Sequence, residues 1–200
     1  METFKQYKPD SRGSLSIWDI DETLFKTKAK VYVTKGGKRI RALSNQEYNT
    51  YQLNTGEKYD YSEFRSADLF HATSEPIKKA IDKAAAILRA YVNKPNSKMI
   101  ILTARSDFDD RDKFLATFEK HGLDMTHVYV ERAGNLTGLR AAEAKRVIIA
   151  KYLQTGKFKR VSLFDDDVRN LQVFLTLQKE YPDITFEAYL ANHGVMKRYR

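Results

Sequence analysis

The amino-acid sequence predicts an α/β fold in which a Rossmann-like parallel sheet carries a small insertion after its first strand. Three apolar runs of four residues, each followed by a helical pattern, predict buried parallel strands. These runs are residues 15–18, 99–102 and 161–164. The alternation of strands and helices is interrupted once, between Leu24 and Ser74. We therefore expect a core made of residues 1–25 and 75–200 and a cap made of residues 26–74.

The remaining elements follow from the helical spacing of apolar residues and from start and stop signals. Ser74-Glu75-Pro76 indicates a helix start, because proline is favoured in the first turn of a helix. This helix is ended by Asn93-Lys94-Pro95-Asn96. Later helices are predicted over residues 109–121, 141–153 and 167–181, and further strands over residues 128–130 and 184–190.

Two carboxylates, Asp19 and Asp21, directly follow the first predicted strand. Alternate residues of an extended segment point the same way, so both side chains can converge just beyond the buried strand. Like charges this close raise each other's pKa unless a cation lies between them. The pair therefore indicates either a shared proton or a hard metal ion such as Mg²⁺, and the alternative is a solvated acidic turn.

The other two apolar runs also end in polar residues. Thr103 follows one of them, and Asp165 and Asp166 follow the other. Open parallel sheets bind ligands in the crevice beyond the carboxyl ends of their strands. We therefore expect these residues to face the same pocket as Asp19 and Asp21.

These motifs together resemble those of the haloacid dehalogenase (HAD) superfamily of phosphotransferases. They comprise DxDxT at residues 19–23, a hydroxyl at Thr103, Lys145 on a later helix and DDxxxN at residues 165–170. The stretch from Thr103-Ala104-Arg105 through Lys145 to Asp165-Asp166 is also similar to the 3′-phosphatase domain of phage-type polynucleotide kinase-phosphatases. The sequence contains no P-loop pattern GxxxxGK[ST].

The resemblance implies a catalytic role for four residues. Asp19 would be the nucleophile that forms an aspartyl-phosphate. Asp21 would protonate the leaving group and then activate the water. Thr103 would hydrogen-bond a phosphoryl oxygen, and Lys145 would offset negative charge on Asp19 and on the phosphate.

The resemblance also implies a bound Mg²⁺ as cofactor. Its ligands would be Asp19, the backbone carbonyl of Asp21, and either Asp165 or Asp166. Three further residues have supporting interpretations: Thr23 fixes the turn, Asn170 ties its helix to the acidic loop, and Arg105 either pairs with a carboxylate or contacts the substrate. The four histidines show no metal-ligand spacing.

Composition limits the class of protein. The chain has 200 residues, 42% of them hydrophobic, which suits one core domain with a small insert. No apolar stretch approaches the length of a membrane span, and the polar residues 1–5 do not form a signal peptide. There is no cysteine, so disulfides and thiol catalysis are excluded. We expect a cytoplasmic protein that binds no membrane, located in the host cytoplasm if it is phage-encoded.

A net charge of +9 indicates an anionic partner. The predicted cap contains a β-hairpin over residues 31–42 that turns at Gly36-Gly37. Pairing across a two-residue turn would put Val33 opposite Ile40 and Tyr32 opposite Arg41. One face would then be apolar, and the other would carry Tyr32, Thr34, Arg39 and Arg41. This basic face suits a nucleic acid, with a solvated surface as the alternative.

The sequence therefore predicts a Mg²⁺-dependent phosphomonoester hydrolase that acts on nucleic-acid 3′-phosphate ends, of DNA or RNA, or on nucleotides. Arg105, Tyr32, Arg39 and Arg41 are the predicted substrate-binding residues. Two alternatives remain open. One is a small-metabolite phosphatase or 5′-nucleotidase, whose basic charge only steers anions. The other is a non-catalytic, nucleic-acid-binding protein on the same scaffold.

Overall fold

The structure is a computed structural model that describes residues 10–200, except for the side chains of residues 45, 46 and 49. Residues 1–5, on which the expectation of no signal peptide rests, lie outside the described residues. The strands are β1 (Gly13–Trp18), β2 (Phe25–Lys26), β3 (Val31–Lys35), β4 (Lys38–Leu43), β5 (Glu57–Asp60), β6 (Glu75–Pro76), β7 (Lys98–Thr103), β8 (Tyr129–Arg132), β9 (Phe158–Asp165), β10 (Thr185–Asn192) and β11 (Val195–Tyr199). The helices are α1 (Asn45–Thr50), α2 (Ala67–Thr73), α3 (Lys78–Val92), α4 (Arg111–Lys120), α5 (Ala141–Leu153) and α6 (Val168–Thr176).

The central sheet has six strands in the order β11-β10-β9-β1-β7-β8. All neighbours are parallel except β10 and β11, which form an antiparallel hairpin at one edge. The predicted Rossmann-like parallel sheet is therefore confirmed. Because β1, β7 and β9 are parallel neighbours, their carboxyl ends lie side by side at one edge of the sheet.

Helices cover both faces of the sheet, and β1 is buried on both sides. Leu15 and Ile17 pack into a cluster with apolar residues of α5 and α6. Trp18 packs into a second cluster with residues of α2, α3 and α4. A strand with apolar residues on both faces is what a doubly covered parallel sheet requires.

An aromatic stack crosses the sheet immediately before the strand ends. Trp18, Phe164 and Tyr189 lie opposite one another on β1, β9 and β10. The ring centroids of Trp18 and Phe164 are 3.9 Å apart, and those of Phe164 and Tyr189 are 4.7 Å apart. The residues that follow Trp18 and Phe164 are Asp19 and Asp165, so two acidic side chains extend from a rigid, buried base.

The start of α3 differs from the prediction. Glu75 and Pro76 form β6, which pairs with β2, and the Ile77 amide donates to the Leu24 carbonyl at 2.9 Å. These tertiary hydrogen bonds keep the chain extended, so the helix begins at Lys78 and proline is not in its first turn. The segment predicted as one helix over residues 167–181 is α6 followed by a short 3₁₀ turn.

The hairpin partner of β10 was not predicted. β11 contains most of the basic C-terminal residues, and it follows a tight turn at His193 and Gly194, which both have positive φ. Non-glycine residues are uncommon at positive φ, so His193-Gly194 is a weaker hairpin signal than Asn-Gly or Asp-Gly.

The predicted hairpin is formed by β3 and β4, but its register beyond the turn is wrong. Lys35 lies opposite Lys38 as expected, whereas Val33 lies opposite Arg41 and Tyr32 opposite Ala42. Ile40 is an extra residue in β4, a β-bulge, and every later pair is shifted by one. Its side chain is 52% exposed, so it is not part of a buried apolar face.

This shift changes which residues share a face of the three-stranded sheet β4-β3-β5. Directly opposite residues of a sheet point to the same side. Arg41 therefore lies on the face of Val31 and Val33, and Arg39 lies on the face of Tyr32. The prediction that Arg39 and Arg41 share one basic face is wrong.

Among the described residues, no helix is both long and apolar enough to span a membrane.

Candidate active site

Asp19 is the first residue beyond β1, and its amide donates to the Phe164 carbonyl at 3.0 Å. Its carboxylate is 5% exposed. One oxygen accepts a hydrogen bond from Lys145 Nζ at 2.7 Å. The end of the strand thus holds a buried carboxylate in a fixed direction.

The turn after Asp19 is built around one carbonyl. The amides of Thr23, Leu24 and Phe25 all donate to the Ile20 carbonyl, and Glu22 has a φ of 57°. None of these three amides uses the Asp21 carbonyl. The predicted role of the Thr23 hydroxyl in fixing the turn is wrong, because Oγ1 is buried without a hydrogen-bond partner among the described residues.

Lys145 lies on α5 and joins two carboxylates. Its Nζ donates to Asp19 and to Asp165, each at 2.7 Å, and the residue is 2% exposed. Burial alone would lower its pKa, but the charges of Asp165 and Asp19 outweigh that effect and raise the pKa. Lys145 is therefore a buried ammonium group.

Asp165, the last residue of β9, is held from several sides. Besides Lys145, the Asn170 side-chain amide donates to both its oxygens at 2.9 and 3.0 Å, and the Asp167 amide donates to Oδ1 at 2.9 Å. This matches the interpretation that Asn170 ties its helix to the acidic loop. Asp166 is exposed and its carboxylate has no hydrogen bond to any other described residue, so its oxygens are available to a ligand.

Three carboxylates surround one ammonium group here. Asp19, Asp165 and Asp166 each offer an oxygen, and the three oxygens lie within 4.8 Å of one another. Burial and the neighbouring Asp165 and Asp166 raise the pKa of Asp19 against the effect of Lys145. Partial desolvation and the Asp165 charge raise the pKa of Asp166 to about 7. This excess of negative charge and all-oxygen donor set fit a hard divalent cation such as Mg²⁺.

Asp21 points to a different partner. Arg105 donates to both its oxygens, Nη2 to Oδ1 at 2.6 Å and Nε to Oδ2 at 2.9 Å, and the Thr27 hydroxyl donates to Oδ1 at 2.7 Å. Burial raises the pKa of Asp21, but the charge and hydrogen bonds of Arg105, together with Thr27, outweigh it and lower the pKa. Of the two interpretations of Arg105, the structure shows the first, in which Arg105 pairs with a carboxylate.

Arg105 also links the core to the cap. Its Nη1 donates to the Phe64 carbonyl at 3.1 Å, and its guanidinium carbon lies 4.7 Å from the centre of the Phe64 ring. Phe64 belongs to a 3₁₀ turn between β5 and α2.

Gly134 packs against the loop that carries Arg105, so closely that a Cβ atom at 134 would lie 2.4 Å from the Ala104 carbonyl oxygen. Glycine is therefore required at 134.

Thr103 ends β7, and its hydroxyl oxygen accepts the Arg105 amide at 3.1 Å. That contact leaves the hydroxyl hydrogen available to a ligand. The residue is fully buried, however, and the surface of the cavity begins at Ala104.

A cavity of about 840 Å³ lies over the strand ends. Predicted residues in its lining are Asp19, Asp21, Arg105, Lys145 and Asp166. Tyr32, Arg39 and Arg41 are not in the lining; Tyr32 donates to Glu63 at 2.5 Å, and Arg39 binds Asp60 at 3.0 Å. The lining also includes Tyr48, Tyr59 and Tyr61, which belong to the segment 48–70 that the sequence predicts as part of a cap over the strand ends, and Arg140; none of these four was predicted to bind substrate. The only sequence signal for the tyrosines was their high density in the predicted cap.

Comparison with known proteins supports the fold. No protein-family model and no curated protein matches the chain. Among solved structures, the chain is similar to the HAD domain of the effector protein Lem4 from Legionella pneumophila. The two share 13% sequence identity over 94% of this chain and 91% of that one, with a TM-score of 0.56. At this identity the likeness shows the fold, which is that of a HAD core with its α/β sheet.

Proposed function

We propose that the protein is a Mg²⁺-dependent phosphomonoester hydrolase that works through an aspartyl-phosphate on Asp19. The observation that carries this proposal is the buried arrangement of Asp19, Lys145 and Asp165 beside Asp166 at the end of the central strand. A buried carboxylate with a fixed cationic neighbour is suited to attack an anionic phosphorus centre.

Two displacements account for the reaction. An Asp19 oxygen attacks phosphorus, the bond to the ester oxygen breaks, and Asp21 supplies the proton to the departing alkoxide. Asp21 then takes a proton from a water molecule that attacks the same phosphorus atom, which releases phosphate and restores Asp19. Lys145 favours the ionised form of Asp19 and orients its carboxylate throughout.

Mg²⁺ held by Asp19, Asp166 and the Asp21 carbonyl would offset the negative charge shared by nucleophile and substrate. We assign Asp166 rather than Asp165 as the ligand from the second pair, because the oxygens of Asp165 already accept from Lys145, Asn170 and the Asp167 amide. This arrangement leaves Lys145 in contact with both buried carboxylates.

We further propose nucleotides or nucleic-acid 3′-phosphate ends as substrates. The net charge of +9 and the likeness of the motifs to those of polynucleotide 3′-phosphatases support this class. A small-metabolite phosphatase or 5′-nucleotidase is the second candidate, since the same catalytic residues would serve it. A binding protein without activity is the third.

Hydrolysis of an aryl phosphate tests the proposed chemistry. We expect turnover that depends on Mg²⁺ and is abolished by a chelator and by Asp19→Asn, because the amide keeps the shape of the side chain but is not a nucleophile. Asp110→Asn is the matched control, since asparagine caps a helix as well as aspartate does and Asp110 caps α4 outside the cavity. Turnover by Asp19→Asn at the wild-type rate would refute the mechanism.

A further inference from the structure

Three tyrosine rings form one wall of the cavity that contains Asp19 and Lys145. We call Tyr48, Tyr59 and Tyr61 the tyrosine wall. The ring of Tyr48 lies 4.9 Å from that of Tyr59 and 5.8 Å from that of Tyr61, and the rings of Tyr59 and Tyr61 are 5.8 Å apart, between centroids. The wall therefore presents contiguous aromatic surface to whatever occupies the cavity.

The wall is held rigidly before any ligand binds. The hydroxyls of Tyr48 and Tyr61 are hydrogen-bonded to each other at 2.9 Å, and the Tyr59 hydroxyl donates to the Tyr51 carbonyl at 2.9 Å. A ring that stacks on fixed side chains loses less conformational entropy than one that must order them first. This rigidity favours a planar ligand group.

Packing of the cap accounts for Tyr48 and Tyr59 but not for Tyr61. The small core of the three-stranded sheet consists of Val31, Val33 and Leu43, with partly buried rings around it. Tyr51 belongs to that cluster but does not line the cavity, whereas Tyr61 lines the cavity and is 43% exposed. An exposed tyrosine fixed beside buried catalytic carboxylates has surface available for binding.

One exposed cation in the cavity lining is available to an anionic group of the ligand. Arg140, just before α5, lines the cavity and forms no ion pair with any described residue. The cavity volume of about 840 Å³ is within the range of sites for small molecules. A nucleotide would match these features, because it has a phosphoryl group for Asp19, a planar ring for the tyrosine wall and negative charge for Arg140.

We propose that the tyrosine wall binds the base of a nucleotide substrate, so that the leaving group is a nucleoside, either free or at the 3′ end of an oligonucleotide. This inference rests on the proposed function and names the leaving group of its reaction. Stacking of a base on an aromatic side chain tolerates any base, so we expect little preference among bases.

The test is a selectivity ratio. We would measure kcat/KM for adenosine 3′-monophosphate and for glycerol phosphate, which has no ring, in the wild type, Tyr61→Leu, Tyr61→Phe and Tyr51→Leu. Tyr61→Leu should lower the nucleotide-to-glycerol ratio by about fivefold to 150-fold, the effect expected for loss of one stacking ring. Tyr61→Phe keeps the ring and should keep the ratio. Tyr51→Leu removes a ring that packs against the cap core outside the cavity, and it should also keep the ratio.

Further substrates show which kind of molecule carries the ring that binds at the tyrosine wall. A 3′-phosphorylated oligothymidylate compared with thymidine 3′-monophosphate shows whether the nucleoside is free or at a polymer end, and a Tyr61-dependent preference for either supports the inference. A ratio that Tyr61→Leu leaves unchanged, or that Tyr51→Leu lowers equally, would overturn it. So would a phosphotyrosine peptide preferred over every nucleotide, because its ring is bonded directly to the phosphate oxygen.

A binding measurement distinguishes failure of this inference from failure of the proposed function. If no phosphomonoester is hydrolysed, the proposed chemistry fails, and calorimetric titration with adenosine 3′-monophosphate then decides about the wall. Binding that Tyr61→Leu weakens and Tyr61→Phe preserves would support a nucleotide-binding protein. Equal affinity of the wild type and Tyr61→Leu would overturn the assignment of the wall.

Discussion

At the scale of single residues, the ion pair of Asp21 and Arg105 joins two side chains that are unequally buried, and it determines how readily Asp21 carries a proton. The Arg105 side chain is 2% exposed and the Asp21 side chain 21% exposed, and two hydrogen bonds join them. The proton donor for a leaving group must carry a proton first, and Arg105 lowers the pKa that would allow it. Asp21 is therefore better prepared to accept a proton from water than to donate one. Substrates with good leaving groups, which need no proton, should react fastest.

Unfolding experiments on this pair should give unequal losses. Asp21→Ala leaves a buried guanidinium whose one remaining acceptor among the described residues is the Phe64 carbonyl, and we expect the free energy of unfolding to fall by about 3–5 kcal/mol. Arg105→Met leaves a carboxylate that water and Thr27 can still reach, and we expect a smaller loss of about 1–3 kcal/mol. Urea denaturation of both variants measures the difference.

The loss in Arg105→Met should also depend on pH. Arg105 lowers the pKa of Asp21 in the folded protein below its ordinary value of 3.8, so the pair stabilises fully above that value. The contribution disappears as the pH falls through the lowered pKa. Equal stability differences at neutral and strongly acidic pH, or a larger loss in Arg105→Met than in Asp21→Ala, would contradict this account of the pair.

At the scale of elements, the bulge at Ile40 decides which arginine of the hairpin faces the cavity side of the cap. Arg41 lies opposite Val33 and its guanidinium lies 5.1 Å from the centre of the Tyr51 ring, whereas that of Arg39 lies 3.9 Å from the centre of the Tyr32 ring on the other face. A single inserted residue thus separates two side chains that the simplest register places together.

The two arginines should therefore behave differently toward an oligonucleotide. We expect Arg41→Ala to raise KM for a 3′-phosphorylated oligonucleotide and to flatten its logarithmic salt dependence by about 0.7, the effect of one lost phosphate contact on a single strand. Each arginine has an acidic partner, Glu47 for Arg41 and Asp60 for Arg39, so Arg39→Ala is the matched control. It should leave KM unchanged, because Arg39 lies on the far face. Equal effects of both substitutions would contradict the observed register.

The outcome of the sequence analysis differs between core and cap for a physical reason. Runs such as residues 161–164 are apolar on both faces, and only a strand covered by helices buries them, so the sheet could be predicted. The contact of Lys145 with Asp19 was implied by the resemblance of the ordered motifs to a known family. The bulge at Ile40 and the start of α3 depend on tertiary hydrogen bonds that local sequence does not encode. The pairing of Arg105 with Asp21 bridges 84 positions and could only be left open.

At the scale of the whole molecule, the parallel sheet brings residues far apart in sequence to one point. Lys145 is 126 positions from Asp19 and 20 from Asp165, yet it contacts both. The aromatic stack beneath Asp19 and Asp165 fixes the two strand ends relative to each other. The cap contributes the tyrosine wall of the cavity, so the proposed chemistry and the proposed recognition of the ring come from different parts of the chain.

The central claim is that Asp19 carries the phosphoryl group during turnover, and trapping tests it most directly. Enzyme quenched during hydrolysis of an aryl phosphate is reduced with borohydride, which converts an acyl phosphate of aspartate to homoserine, and is then sequenced by tandem mass spectrometry. We predict homoserine at position 19, which requires substrate and Mg²⁺ and is absent from Asp19→Asn. Product formation without modification at position 19, or with modification at Asp21, Asp165 or Asp166 instead, would contradict the account.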